Sequence, residues 1–91
     1  MTQAEKVKNR VREFRLNKPG TEAQLVFADA LWHFRSDGHA HWMKIAGGAE
    51  LAGKIERFAL DKKRRALFLW FKDGSRLVAK KTWLGPRVRA T

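Results

Sequence analysis

The chain of 91 residues has no cysteine, two serines, two prolines and few acids, and it lacks any apolar run long enough to cross a bilayer. Each shortage closes off a class of function. Without cysteine there is neither a disulfide framework nor a thiolate metal site, which fits a reducing compartment and makes the cytoplasm the expected location. A membrane span needs ~20 apolar residues, and none is approached. Residues 1–18 are charged and amphipathic, without the apolar stretch of a signal peptide. Their apolar stripe is narrow, with Phe14 its one aromatic, so no membrane partner is expected. A serine nucleophile could come only from Ser36 or Ser75, both in or beside turn-forming stretches, and no catalytic residue is assigned.

What is present is positive charge, unevenly placed. The formal net charge of +11 divides into +4 over residues 1–18, −2 over residues 19–53 and +9 over residues 54–91. A folded chain carrying such an excess repels itself, and an anionic partner relieves the repulsion, nucleic acid being the first candidate. Four Trp and six Phe in a 44% hydrophobic composition argue against disorder. The length suits one small basic domain spanning residues 1–91.

Thr2 and Glu5 have capping-box spacing, and Ala4, Val7, Val11 and Phe14 recur at helical intervals. An amphipathic helix over residues 3–16, within an N-terminal segment 1–18 closed by Pro19-Gly20, is predicted. Residues 22–34 read two ways. Thr21 to Gln24 is a second capping-box match, while Val26, Ala28, Ala30, Trp32 and Phe34 alternate as one strand face, and strand is favoured for the second half. Ser36-Asp37-Gly38 has the chemistry of a three-residue hairpin loop, which would pair Arg35 with His39 and His33 with His41, placing Trp32, Phe34, Ala40 and Trp42 together. Gly47 to Gly53 reads as a flexible connection or a distorted strand entry, with no Lys-Ser or Lys-Thr to make it a phosphate loop. Residues 54–60, 65–72 and 75–83 read as three antiparallel strands, the last an edge guarded by its lysines, and residues 84–91 as a basic tail. The two Asp-Gly loops hint at a repeated hairpin, but two copies do not establish a repeat.

The functional signal lies in the last hairpin. A three-residue loop Lys72-Asp73-Gly74 would pair Trp70 with Arg76 and Leu69 with Leu77. Leu67, Leu69, Phe71, Leu77 and Ala79 then share one face, and Phe68, Trp70, Arg76, Val78 and Lys80 the other. Aromatics interleaved with cations suit a polyanion of bases, because rings stack on bases while cations follow phosphates. The competing reading packs Phe68 and Trp70 beneath the N-terminal helix, which needs a partner for Val7, Val11 and Phe14. Lys62, Lys63, Arg64 and Arg65 make a basic turn, and Lys80, Lys81, Trp83, Arg87 and Arg89 line the end of the chain. Trp83 reads as an anchor for the tail or, second, as a stacking residue. His33, His39 and His41 could converge on one hairpin face, yet no carboxylate lies close enough in sequence to complete a metal site, so a plain polar face is expected, with no metal and no cofactor.

The expected fold is therefore α+β: an N-terminal amphipathic helix packed on a small antiparallel sheet of four to five strands across residues 22–83, with curling into an SH3-like or OB-like barrel as the limiting form. The expected function is non-enzymatic nucleic-acid binding through the phosphate backbone with aromatic stacking, single-stranded DNA or RNA favoured over duplex. The alternatives are a small regulator or inhibitor docking an acidic protein, and behind it a small toxin-like ribonuclease.

Overall fold

The capping box forms as the sequence predicts. In the computed structural model, which describes residues 1–91, Thr2 Oγ1 accepts the Glu5 N–H at 3.2 Å and the Glu5 carboxylate accepts the Thr2 N–H at 3.3 Å. The helix it opens, α1 (Gln3–Arg10), is shorter than expected: Val11 leaves helical geometry and starts β1 (Val11–Leu16). Val7, Val11 and Phe14 fit a helical stripe, but Phe14 and Leu16 are buried alternately with exposed Glu13 and Arg15, and pairing with the next strand decides for period two.

Residues 22–34 are likewise two strands, β2 (Glu22–Phe27) and β3 (Leu31–Asp37). Thr21 caps no helix; its N–H and that of Glu22 donate to the Asn17 side chain at 2.9 Å each, which shapes the β1–β2 loop instead. β4 (Ala40–Ala46) pairs with β3 through a two-residue turn, not a three-residue one, so Asp37 faces Ala40, Ser36 faces His41 and Arg35 faces Trp42. Gly38 takes φ 60° at the first central position, where the turn needs a positive φ. The shift moves Trp42 to the face opposite Trp32 and Phe34. Instead of a structureless connection, a single helical turn α2 (Ala49–Ala52) follows, then β5 (Ile55–Asp61), β6 (Ala66–Phe71), β7 (Arg76–Thr82) and β8 (Gly85–Ala90). The segment expected to be a tail is thus a strand, and β7 is interior where an edge was expected. The β6–β7 register agrees with the sequence: Trp70 faces Arg76 and Leu69 faces Leu77, around a loop whose Gly74 has φ 85°.

Two separate antiparallel sheets result, ordered β1-β2-β3-β4 and β5-β6-β7-β8, and they do not close into a barrel. Their apolar faces meet: Phe14, Leu25, Trp32 and Phe34 from the first bury against Leu67, Leu69, Leu77 and Ala79 from the second. Helix α1 plugs one end, burying Ala4 and Val7 against β6, β7 and β8. Its free N–H groups are satisfied from the far sheet: Gln3 donates to Asp73 Oδ2 at 2.8 Å and Ala4 to Ser75 Oγ at 3.0 Å, while the Ser75 hydroxyl donates to Asp73.

The two halves of the chain are one design used twice. Each is a helical segment followed by a four-strand meander, and each first strand carries a bulge at the same place, Val11 to Glu13 and Ile55 to Arg57. Every β1–β2 pair maps onto a β5–β6 pair 44 residues later, as Phe14 with Leu25 maps onto Phe58 with Leu69. The β6–β7 loop is one residue longer, after which the offset is 45: Arg35 with Trp42 becomes Lys80 with Arg87. Helix α1 packs on the second sheet and α2 on β4 of the first, so each half lends its helix to the other.

The Asp73 contacts make a test. Hydrogen bonds from the Ser75 hydroxyl, the Gln3 N–H and the Ser75 N–H hold its carboxyl below its ordinary value of 3.8. A depressed folded-state pKa stabilises above the unfolded value and loses that contribution as pH falls through the folded one. Asp73→Asn should therefore melt several degrees below wild type at pH 7, and the gap should narrow steadily below about pH 4. Thermal melts across that range check it; a gap unchanged at pH 2 would show that charge is not the cause.

Candidate nucleic-acid interface

Four strands with a common inner face leave a common outer one, and on the second sheet that face is built in rows. Across the top, Arg57 faces Trp70 and Trp70 faces Arg76; below it Ala59, Phe68, Val78 and Arg89 align; below that come Ala66, Lys80 and Arg87. Phe68 and Trp70 are half-buried and lie stacked, ring centroids 5.9 Å apart at 21°. The Arg57 guanidinium covers Trp70 at 3.8 Å from its centroid. Arg57, Trp70 and Phe68 therefore form a continuous column of flat groups. Helix α1 lies at the end of the sandwich and leaves this face open, so the aromatic pair is not the floor beneath a helix.

Arg57 was not among the residues singled out from the sequence. In an unbroken strand it would share a face with the buried Ile55. The bulge at Glu56 inserts one residue between them, so Ile55 turns inward opposite Phe71 while Arg57 turns outward opposite Trp70. Alternation from Phe58 and Leu60, both inner-facing, was the sequence signal that could have found it.

The other predicted site residues divide. Arg76, Lys80, Arg87 and Arg89 lie exposed on this face, and a shallow depression joins Phe68, Trp70 and Arg76 to the exposed turn Lys62, Lys63 and Arg64. Arg64 is tied back: its N–H donates to Asp61 at 3.0 Å and its guanidinium pairs with the same carboxylate at 3.7 Å. Arg65 is structural. It sits at φ 52°, unusual for a side-chain-bearing residue, and its guanidinium donates to the Lys18 and Asn17 carbonyls at 3.0 and 3.3 Å. Lys81, by alternation, faces away from Lys80. Trp83 anchors nothing: it stands at the tip of the β7–β8 turn, 92% exposed.

No protein-family model, curated protein or solved structure matches this chain. What marks the face is therefore the contrast with its internal duplicate. On the first sheet Glu13 pairs with Arg15 at 3.0 Å, and Glu22 lies 3.7 Å from Arg35 and 3.9 Å from His33. At the duplicate positions Glu13 becomes Arg57, Glu22 becomes Ala66, Gln24 becomes Phe68, Val26 becomes Trp70, Leu31 becomes Arg76 and Trp42 becomes Arg87. One scaffold thus carries a neutralised face and a face where Arg57, Arg76, Lys80, Arg87 and Arg89 make no ion pair.

The histidines do not converge. His33 faces outward beside Trp42, His39 is in a turn, and His41 lies on the opposite face from His33, bonded through Nδ1 to Ser36 at 2.9 Å. No three His, Asp or Glu side chains gather as a metal site would need. Ser75 is committed to capping α1.

Burial separates the two sides of β6. Trp70→Ala should lower stability by about 1–2 kcal/mol, since only part of its ring is removed from water, whereas Phe71→Ala on the inner face should cost about 3–5 kcal/mol. Urea melts of the two variants compare them directly. Equal losses would mean that Trp70 is core.

Proposed function

We propose that the outer face of the second sheet binds single-stranded nucleic acid without sequence preference. The observation that carries this reading is the stacked Phe68–Trp70 pair, covered by Arg57 and bordered by four further cations with no acid partner. Bases stack on rings and on guanidinium planes alike, so the column of Arg57, Trp70 and Phe68 offers them flat surfaces along β6. Arg76, Lys80, Arg87 and Arg89 lie on the adjoining β7 and β8 and suit the phosphates. A strand running along β6 and β7, bases toward β5 and backbone toward β8, satisfies both sets. A duplex keeps its base faces hidden and gains only the cations.

Fluorescence anisotropy with labelled single-stranded DNA, single-stranded RNA and duplex, at two or more salt concentrations, tests this. Single strands should bind more tightly than duplex. If Arg76, Lys80, Arg87 and Arg89 each contact a phosphate, the affinity should fall with a log–log salt slope of about −2.8. Removing two of them in Arg87→Ala/Arg89→Ala should weaken binding to every sequence about equally and flatten the slope by roughly 1.4. Absence of binding at low salt would defeat the proposal and favour the acidic-protein reading, which uses the same unpaired cations without the rings.

Lys80 gives a second test. It lies directly across from Arg87, a like-charge pair that costs the ladder stability. Lys80→Glu should raise the melting temperature slightly, through a cross-strand pair contributing about 0.2–1 kcal/mol, while weakening nucleic-acid binding. A variant that is more stable and binds as well as wild type would remove Lys80 from the site.

A further inference from the structure

Open sheets have edges, and the four edge strands here are not equally protected. β1 and β5 each carry a bulge, and β8 carries Pro86 among exposed arginines. Those are the usual devices against edge-to-edge pairing. β4 has none: its seven ladder pairs with β3 run without a register shift, it contains no proline, and Lys44 is its one full cation. Cover is unequal as well. The eight-residue α1 packs on β8, whereas its counterpart α2 has four residues and covers β4 only in part, so Met43, on the inner-facing side, is 41% exposed while the matching Val88 is half-buried. Trp42, on the other side, is 38% exposed.

We propose that β4 pairs with β4 of a second copy of this chain, antiparallel and centred on Met43. The backbone supplies the register. A two-residue turn makes Asp37 and Ala40 a hydrogen-bonded pair, and alternation from there points the N–H and C=O groups of His41, Met43 and Ile45 away from β3. A two-fold axis through Met43 brings these groups together: Met43 meets Met43, and His41 meets Ile45. On the outer side Trp42 of each copy then faces Lys44 of the other, so the cation meets a ring and never its own kind. A strand pair of this length is small for a stable interface, so the dimer should dissociate in the micromolar range.

Sedimentation equilibrium of the full chain without nucleic acid tests this independently of the binding face. Wild type should show a monomer–dimer equilibrium, and Met43→Lys, which sets two cations opposite each other, should be monomeric at concentrations where wild type is dimeric. The absence of cysteine permits a second readout that does not depend on how well the lysine variant folds. Met43→Cys should cross-link to itself on mild oxidation, because opposed residues of a hydrogen-bonded pair lie about 5.5 Å apart between Cα atoms, within disulfide reach. Trp83→Cys, at the far more exposed tip, should not. A wild-type chain monomeric at several hundred micromolar overturns the proposal, as does cross-linking of Trp83→Cys as readily as Met43→Cys.

Discussion

Everything in this molecule follows from two four-strand sheets that each have one apolar face and no other cover for it. Neither sheet could stand alone in water with Trp32 and Phe34, or Leu69 and Phe71, facing out. Packed together they shield each other, and α1, capped through Asp73 and Ser75, closes the end that the strands leave open. Because burial is settled on the inner faces, the outer faces are free of that constraint.

The repeated register shows how differently the two halves fill those outer faces. The inner-facing positions keep their character between halves, with Phe14, Leu16, Leu25 and Phe27 recurring as Phe58, Leu60, Leu69 and Phe71. The outer positions do not: the carboxylates Glu13 and Glu22 give way to Arg57 and Ala66, Gln24 and Val26 to Phe68 and Trp70, and Leu31 and Trp42 to Arg76 and Arg87, so the second face loses its acids and gains rings and cations. A change made only for stability would not remove the partner of every cation on a face, nor oppose Lys80 to Arg87 where the first half has Arg35 over Trp42 at 5.7 Å. The like-charge pair of Lys80 and Arg87 lies on the same face as the half-buried rings of Phe68 and Trp70, and on the proposed reading a bound polyanion would relieve it.

Much of the second half was legible because its signals agreed. In β6 and β7 the alternation is unbroken on both sides of the Asp73-Gly74 loop, and the three-residue loop read there is the one that forms, so the register and the mixed face could be read directly. The first half was ambiguous for physical reasons. Val7, Val11 and Phe14 keep a helical spacing although a bulge and the alternation of Phe14 with Leu16 put the last of them in a strand, and Ser36-Asp37-Gly38 fits a three-residue loop as well as the two-residue turn that forms, a shift that carries every facing residue across the sheet. β8 was hidden by its Pro86 and its cations, which are the features of a guarded edge as much as of a tail. The internal repeat is hard to see in the sequence because the outer positions differ between halves and one loop is a residue longer, leaving Phe-x-Leu-x-Lys and Leu-x-Phe-x-Asp as the matching fragments.

The bulge at Glu56 shows how little covalent change can build a site on such a frame. The equivalent bulge at Arg12 is present in the first half, where it turns Glu13 outward beside Val26, and there it serves only to twist the edge. In the second half the same backbone irregularity presents Arg57 over the ring of Trp70. The device that guards the edge of β5 is thus also what completes the flat column of Arg57, Trp70 and Phe68. Straightening the strand would turn Arg57 toward the core and expose the edge in one step, so protection of the edge and completion of the column are held by a single inserted residue.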